Sequence, residues 1–208
     1  SAVKFATVNF YSPNYPESLV LTSGYTGFAV SLSQDTGCDL ILPGGTWDNV
    51  LMSYCAGKRK EPVWVIGEAD YRSGPIGAEQ NILFLSELNP DAKNNTDVSL
   101  DSFRIEDTQG PEGKTAFIGQ EIKIKGNPIL SIKGSYKINP ADDLSIQIIR
   151  DGEIIKESVF GNEGVFNLEF QDDSFGAVPQ KSYYRLNFIT GEKIVLVTNP
   201  IFIEMPNE

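Results

Sequence analysis

The sequence predicts a mainly β, α+β protein with an α/β segment in front of a run of short strands. Three observations carry this. From about residue 98 onward, short stretches alternate apolar and polar residues between turn signals. Two such stretches flank Asp151-Gly152, the pair favoured in a tight type I′ hairpin. In the first 90 residues a helical pattern is followed by a continuous apolar run, the texture of a strand in a parallel sheet.

In the front segment, residues 1–90, VKFATVNFYS (3–12) and GFAVSLS (27–33) read as strands. WDNVLMSYCAGKRK (47–60) reads as a helix. Thr46 is its expected cap and Asp48 lies in its first turn. Val50, Leu51 and Tyr54 share one face, and Lys58, Arg59 and Lys60 follow its end. PVWVIGEAD (62–70) and NILFLSEL (81–88) complete a strand–helix–strand fragment. NPDAKNNTD (89–97) clusters Pro, Asn and Asp and reads as a linker. Its Asn94-Asn95-Thr96 is formally a glycosylation acceptor.

In the second segment, residues 98–208, the expected strands lie at 102–107, 121–126, 128–138, 144–160 (a hairpin), 165–170, 182–189 and 193–204. Roughly seven or eight short strands in such a span match an immunoglobulin-like β-sandwich. Tyr183-Tyr184 opens a late strand. Either a tyrosine there bonds back to the preceding corner, as in such sandwiches, or one ring points inward and one outward.

The chain has 208 residues, 17 basic and 28 acidic, with a formal net charge of −11. That balance disfavours nucleic acid and anionic lipid as partners. No apolar run reaches the length of a membrane span, and no leader pattern opens the sequence. The chain contains no histidine, which removes Ser-His-Asp and Cys-His catalysis and makes a structural zinc site untenable. Cys38 and Cys55 fit one disulfide in an exported protein or two thiols otherwise. The acid pairs Asp142-Asp143 and Asp172-Asp173 lack the loop pattern of a calcium site. Glu68 and Asp70, two apart on one strand, face the same way, so they do not flank a substrate as paired glycosidase carboxylates do. Trp47, beside Gly44-Gly45, is a candidate for ligand stacking or for packing. Trp64, inside an apolar run, is expected in the core.

GTWDNVL (45–51), Gly-Lys-Arg (57–59) and VWVIGEADYRSG (63–74), in that order, resemble the last third of a PHP domain, the polymerase-and-histidinol-phosphatase class of metal-dependent hydrolases. IQIIRDGEIIKE, YYRLNF and TNPIFIE resemble the β-sandwich that follows PHP domains in a secreted or surface-associated bacterial branch. The resemblance spans roughly residues 20–208. It implies a partial PHP-like α/β segment followed by an immunoglobulin-like sandwich, in an extracellular, periplasmic or cell-envelope protein. PHP domains hold metal ions through a His-x-His near the domain start and an Asp-x-His near its end. In this chain only Asp70 stands at a ligand position; Arg72 replaces the histidine, and the His-x-His is absent. Ala29 stands where the family's strand often carries an acid.

The expectation is a non-catalytic binding or assembly protein with no cofactor, working with a protein partner or as a homo-oligomer. A divalent metal enters only if other residues complete the site, with Asp70 as the one metal ligand here. Arg72, Trp47 and Asp48 are the ligand- or anion-binding candidates. The first alternative is the C-terminal piece of an active metallohydrolase whose metal-binding half lies elsewhere. The second is a carbohydrate-binding module using Trp47 and the tyrosines.

Overall fold

The computed structural model describes residues 5–7, 15–30, 40–67, 97–109, 114–177 and 181–205. The protein is mainly β. Strands β1 (Phe5–Thr7), β2 (Gly27–Val30) and β3 (Trp64–Gly67) form a parallel sheet in sequential order. Helix α1 (Tyr15–Leu21) lies between the first two strands and helix α2 (Thr46–Cys55) between the last two. Parallel neighbours need such crossovers, and the apolar run at 62–67 pairs as its texture predicts.

The helix at 47–60 is shorter than expected. It ends at Cys55, and the chain turns through Gly57 at φ +71°, a conformation open to glycine. Thr46 is not the cap. Gly45 occupies that position without a side-chain bond, and the Asp48 carboxylate instead accepts from the Gly44 N–H at 2.8 Å. Arg59 serves α1, not α2. Its Nη1 donates to Thr22 O at 2.6 Å and Val20 O at 3.4 Å, and its guanidinium lies 4.9 Å from the Tyr25 ring centroid. A cation on the last carbonyls of a helix is favourable whichever part of the chain supplies it.

The remaining strands build two sheets. One has four antiparallel strands in the order β10 (Glu163–Gln171), β7 (Pro128–Lys137), β4 (Val98–Asp107) and β5 (Thr115–Phe117). The other runs β6 (Glu121–Lys123), β13 (Ile201–Glu204), β11 (Lys181–Thr190), β8 (Leu144–Arg150) and β9 (Glu153–Phe160). The expected single run at 193–204 is two strands: β12 (Lys193–Val197) pairs with the far half of β11, and β13 pairs with its near half. Thr198, Asn199 and Pro200 separate them, because proline cannot donate to the ladder.

Inward side chains from both sheets form one core, including Phe103, Ile105, Ile132, Ile146, Phe166, Leu186 and Ile203. This is a sandwich-like arrangement. Strand β4 starts four residues earlier than its alternation suggested. Leu100 and Phe103, three apart, would face opposite sides of a regular strand. A bulge between Leu100 and Ser102 restores the phase, so both are buried. The Asp151-Gly152 hairpin forms as expected, with φ of 51° and 86° at the two turn residues.

Strand β11 is buried on both faces. Tyr184, Leu186 and Phe188 join the sandwich core, while Tyr183, Arg185 and Asn187 face the other way and are also fully buried. Neither tyrosine points to solvent. The outer face of this sheet is covered by the α2 segment, and a second core joins Tyr183 and Phe202 to Phe28, Trp47, Val50, Leu51, Val63 and Val65.

Gly134 on β7 lies opposite Phe166 on β10. A Cβ there would fall 2.2 Å from Ser99 O and 2.3 Å from Phe166 Cζ. Gly134→Ala is therefore expected to lower stability by about 1–3 kcal/mol through overpacking, measured by urea denaturation. An unchanged midpoint would contradict this packing.

Candidate functional site

The most developed polar constellation lies where α2 meets the outer face of β11. Arg185 and Asp48 form a bidentate ion pair, Nε to Oδ1 and Nη2 to Oδ2, each 2.7 Å, and both side chains are 0% exposed. The Tyr183 hydroxyl donates to Asp48 Oδ1 at 2.7 Å. Arg185 Nη1 donates to Asn187 Oδ1 at 2.6 Å, and Nη2 lies 3.1 Å from Ile41 O. Asn187 Nδ2 also reaches Ile41 O, at 3.3 Å. The guanidinium sits 5.0 Å from the Trp47 ring centroid, a cation–π contact. The two charges are thus paired and hydrogen-bonded, the condition under which charges survive burial.

Local sequence places each member. Residues 183, 185 and 187 alternate on one face of β11, so the Tyr-Arg-Asn set projects together. Trp47 and Asp48 occupy the first turn of α2, beside the 40–45 turn whose carbonyls Arg185 reads. Burial of the Tyr183 phenol and the Asp48 charge push its ionisation far up, so it stays a donor.

Two further contacts tie the same layers. The Asn199 side chain pairs with β3 as a strand would: Oδ1 accepts from Val65 N and Nδ2 donates to Val65 O, both 2.9 Å. Lys181 Nζ donates to Glu121 Oε2 at 2.6 Å and to the Tyr54 hydroxyl at 3.0 Å, above the Tyr54 ring. Tyr54 in turn packs edge-on against Phe202, with centroids 4.9 Å apart. Burial alone would raise the Glu121 carboxyl, but Lys181 holds it below the usual range.

On the sandwich side of β11, the Tyr184 hydroxyl donates to Asp172 Oδ2 at 2.7 Å, and Arg150 pairs with the same carboxylate. Ser174 adds two bonds to Asp172 Oδ1. These partners outweigh the desolvation of Asp172 and keep its carboxyl low. Asp172, one of the paired acids in the sequence, is thus a buried structural acceptor.

Of the sequence candidates, Trp47 and Asp48 meet at this junction and neither faces solvent. The Trp47 indole N–H is given to Val63 O at 2.9 Å. Trp64, expected in the core, is half-buried against the second core. Cys55 is a free thiol, and burial pushes it up to about 12. Glu68, Asp70, Arg72 and Cys38 lie outside the described residues, as do the expected strand at 81–88 and the linker at 89–96. Among the described residues no group of three or more His, Cys, Asp or Glu is placed to hold a metal ion, and no helix is long and apolar enough to cross a membrane. The chain's donor set does not fit a PHP-type metal cluster, since it offers no imidazole and Asp70 is one carboxylate.

Sequence reasoning did not single out Arg185, Asn187 or Asn199. The available signal was a charge and an amide alternating inside an aromatic-rich strand, Tyr-Tyr-Arg-Leu-Asn-Phe. Such a polar stripe ordinarily faces water.

No protein-family model and no curated protein matches the chain. Among solved structures it is similar to an engineered protein at 10% identity and a TM-score of 0.26, covering 99% of this chain and 48% of that one. It is also similar to an endo-β-1,4-mannanase from Thermotoga petrophila at 13% identity and a TM-score of 0.25, with the same coverage. The chain spans about half the length of each. Likenesses this slight carry no argument about fold or function.

Arg185→Met strands the Asp48 carboxylate in the junction and is expected to cost about 3–5 kcal/mol. Adding Asp48→Leu should recover much of the loss. A double-mutant cycle by denaturation with no coupling between the two sites would show the pair to be dispensable.

Proposed function

We propose that this chain is a non-catalytic binding or assembly protein of PHP-type ancestry, with an immunoglobulin-like sandwich as its second part. The observation that carries the reading is the inward commitment of the polar residues at the junction. Asp48, Trp47, Tyr183 and Arg185 satisfy one another and hold two layers together, instead of converging on a space that a substrate could enter. Two sheets around one core, one antiparallel and the other antiparallel except where β6 joins β13, support the sandwich reading, as does the Tyr184 bond to Asp172 just upstream. The sequential parallel order of β1, β2 and β3 supports descent from a barrel wall. An extracellular, periplasmic or envelope location rests on the family resemblance alone.

The surface for a protein partner or a second copy is the open side of the sandwich. There β9 and β10 end their sheets and show Ile154, Val159 and Val165 to solvent. Sedimentation across a concentration series is expected to reveal self-association, weakened by Val159→Glu with Val165→Glu. A monomer at every concentration that also hydrolyses a phosphodiester when Mn2+ is added would overturn the reading.

The second reading is the C-terminal piece of a metal-dependent hydrolase. It is favoured by the parallel pairing of β2 and β3 across helix α2, with Asn199 pinning the edge of β3 to the sandwich. An intact mass well above 22.9 kDa in the native polypeptide would support it. The carbohydrate-binding reading has the least support, because the Trp47, Tyr183 and Tyr184 rings are fully buried.

A further inference from the structure

The hairpin tip at Asp151-Gly152 does more than reverse the chain. It abuts the turn that leads into α2. A Cβ on Gly152 would lie 3.3 Å from Gly44 Cα and 3.5 Å from Asp48 Cβ. Asp151 reaches across to β11: it accepts from the Ser182 hydroxyl and, at 3.2 Å, from the Tyr183 N–H. Tyr183 therefore links two carboxylates, Asp151 through its backbone and Asp48 through its hydroxyl.

The charges around this point do not balance. Asp48 pairs with the Arg185 charge. Arg150, next to Asp151 in the chain, is engaged by Asp172 and Ser174. From α2, Asp151 is faced by the Asp48 carboxylate and the neutral Cys55 thiol; from β11, by Ser182 and the neutral Tyr183 phenol. Lys181, also on β11, is paired with Glu121. The junction holds two acids and one guanidinium, which Asp48 already pairs, so one negative charge is surplus whenever Asp151 is ionised. A low-dielectric site answers a surplus charge by taking up a proton.

We propose that the Asp151 tip is a pH-sensitive latch that holds the α2 segment on the six-stranded sheet and closes more firmly when the Asp151 carboxyl is protonated. Desolvation, with the nearby Asp48 charge, raises that carboxyl above its ordinary value, although Ser182, Tyr183 and Arg150 oppose the shift. The folded protein thus binds the proton more tightly than the unfolded chain does. The stability this contributes is fully present below the ordinary aspartate value. It is lost as pH rises through the raised folded value. Asp172, Glu121 and Asp107 are held low and act in the opposite sense, so the latch is read as a difference between two proteins.

The experiment compares wild type with Asp151→Asn by urea denaturation from pH 4 to pH 8. Asparagine tolerates the positive φ of this turn position and keeps the Tyr183 bond, but carries no charge. The variant is expected to be the more stable at neutral pH. As pH falls through the window above the usual aspartate range, the ratio of the two folding constants should shift toward wild type by up to about tenfold per pH unit. A ratio independent of pH, or a variant weaker by a constant amount throughout, would overturn the latch. Should the variant fail to fold, the 13C-carboxyl NMR titration of Asp151 in wild type decides. A midpoint above the usual aspartate range supports the proposal, and one at or below it refutes it.

Discussion

The Arg185–Asp48 pair is the constraint on which the rest of the arrangement depends. Two opposite charges lie in a layer with no exposed surface, and each is satisfied by the other and by neighbouring donors and acceptors. Removing either partner leaves a buried charge, which costs far more than a surface contact. The pair therefore specifies the fit. The guanidinium fork reads Asp48 on α2 and the carbonyls of the preceding turn at once, so α2 has one orientation on the sheet. Apolar contact alone is non-directional and would accept sliding.

Around that pair the layers are joined by contacts of different kinds. Phe202 and Tyr183 extend the second core across the junction. Asn199 offers an amide in place of a strand, which satisfies Val65 at the edge of a small parallel sheet. Lys181, Glu121 and Tyr54 close the rim, where partial solvent access makes the ion pair worth less. This division is physically sensible. The buried pair sets orientation, the aromatic contacts supply burial, and the amide removes unsatisfied backbone groups.

Most strands of the second segment were legible because they have a period of two between turn signals; the three-residue β5 is too short to show one. The Asp151-Gly152 turn was legible because its backbone needs two residues that accept positive φ. The helix was overextended because Lys58, Arg59 and Lys60 look like a helix end, whereas Arg59 caps a different helix. The early start of β4 was missed because its bulge hides the alternation. Asp48 was noticed for its place in the first turn and Trp47 for its glycine neighbours, and both were read as ligand-binding candidates, not as the partners of a buried arginine. Their partner lies some 140 positions away, and no local pattern names it.

By itself the sequence determined local matters: which stretches pair as strands, where the tight hairpin turns, that the texture changes between the two segments, and that histidine chemistry is unavailable. Those follow from properties carried within a few residues, namely side-chain period, turn conformation and composition. Only the tertiary structure decided the fate of the polar stripe on β11. A Tyr-Arg-Asn face reads as solvent-exposed until another layer covers it. The covering layer turns Arg185 from a surface charge into the partner of Asp48, because a charge withdrawn from water must find its opposite within reach.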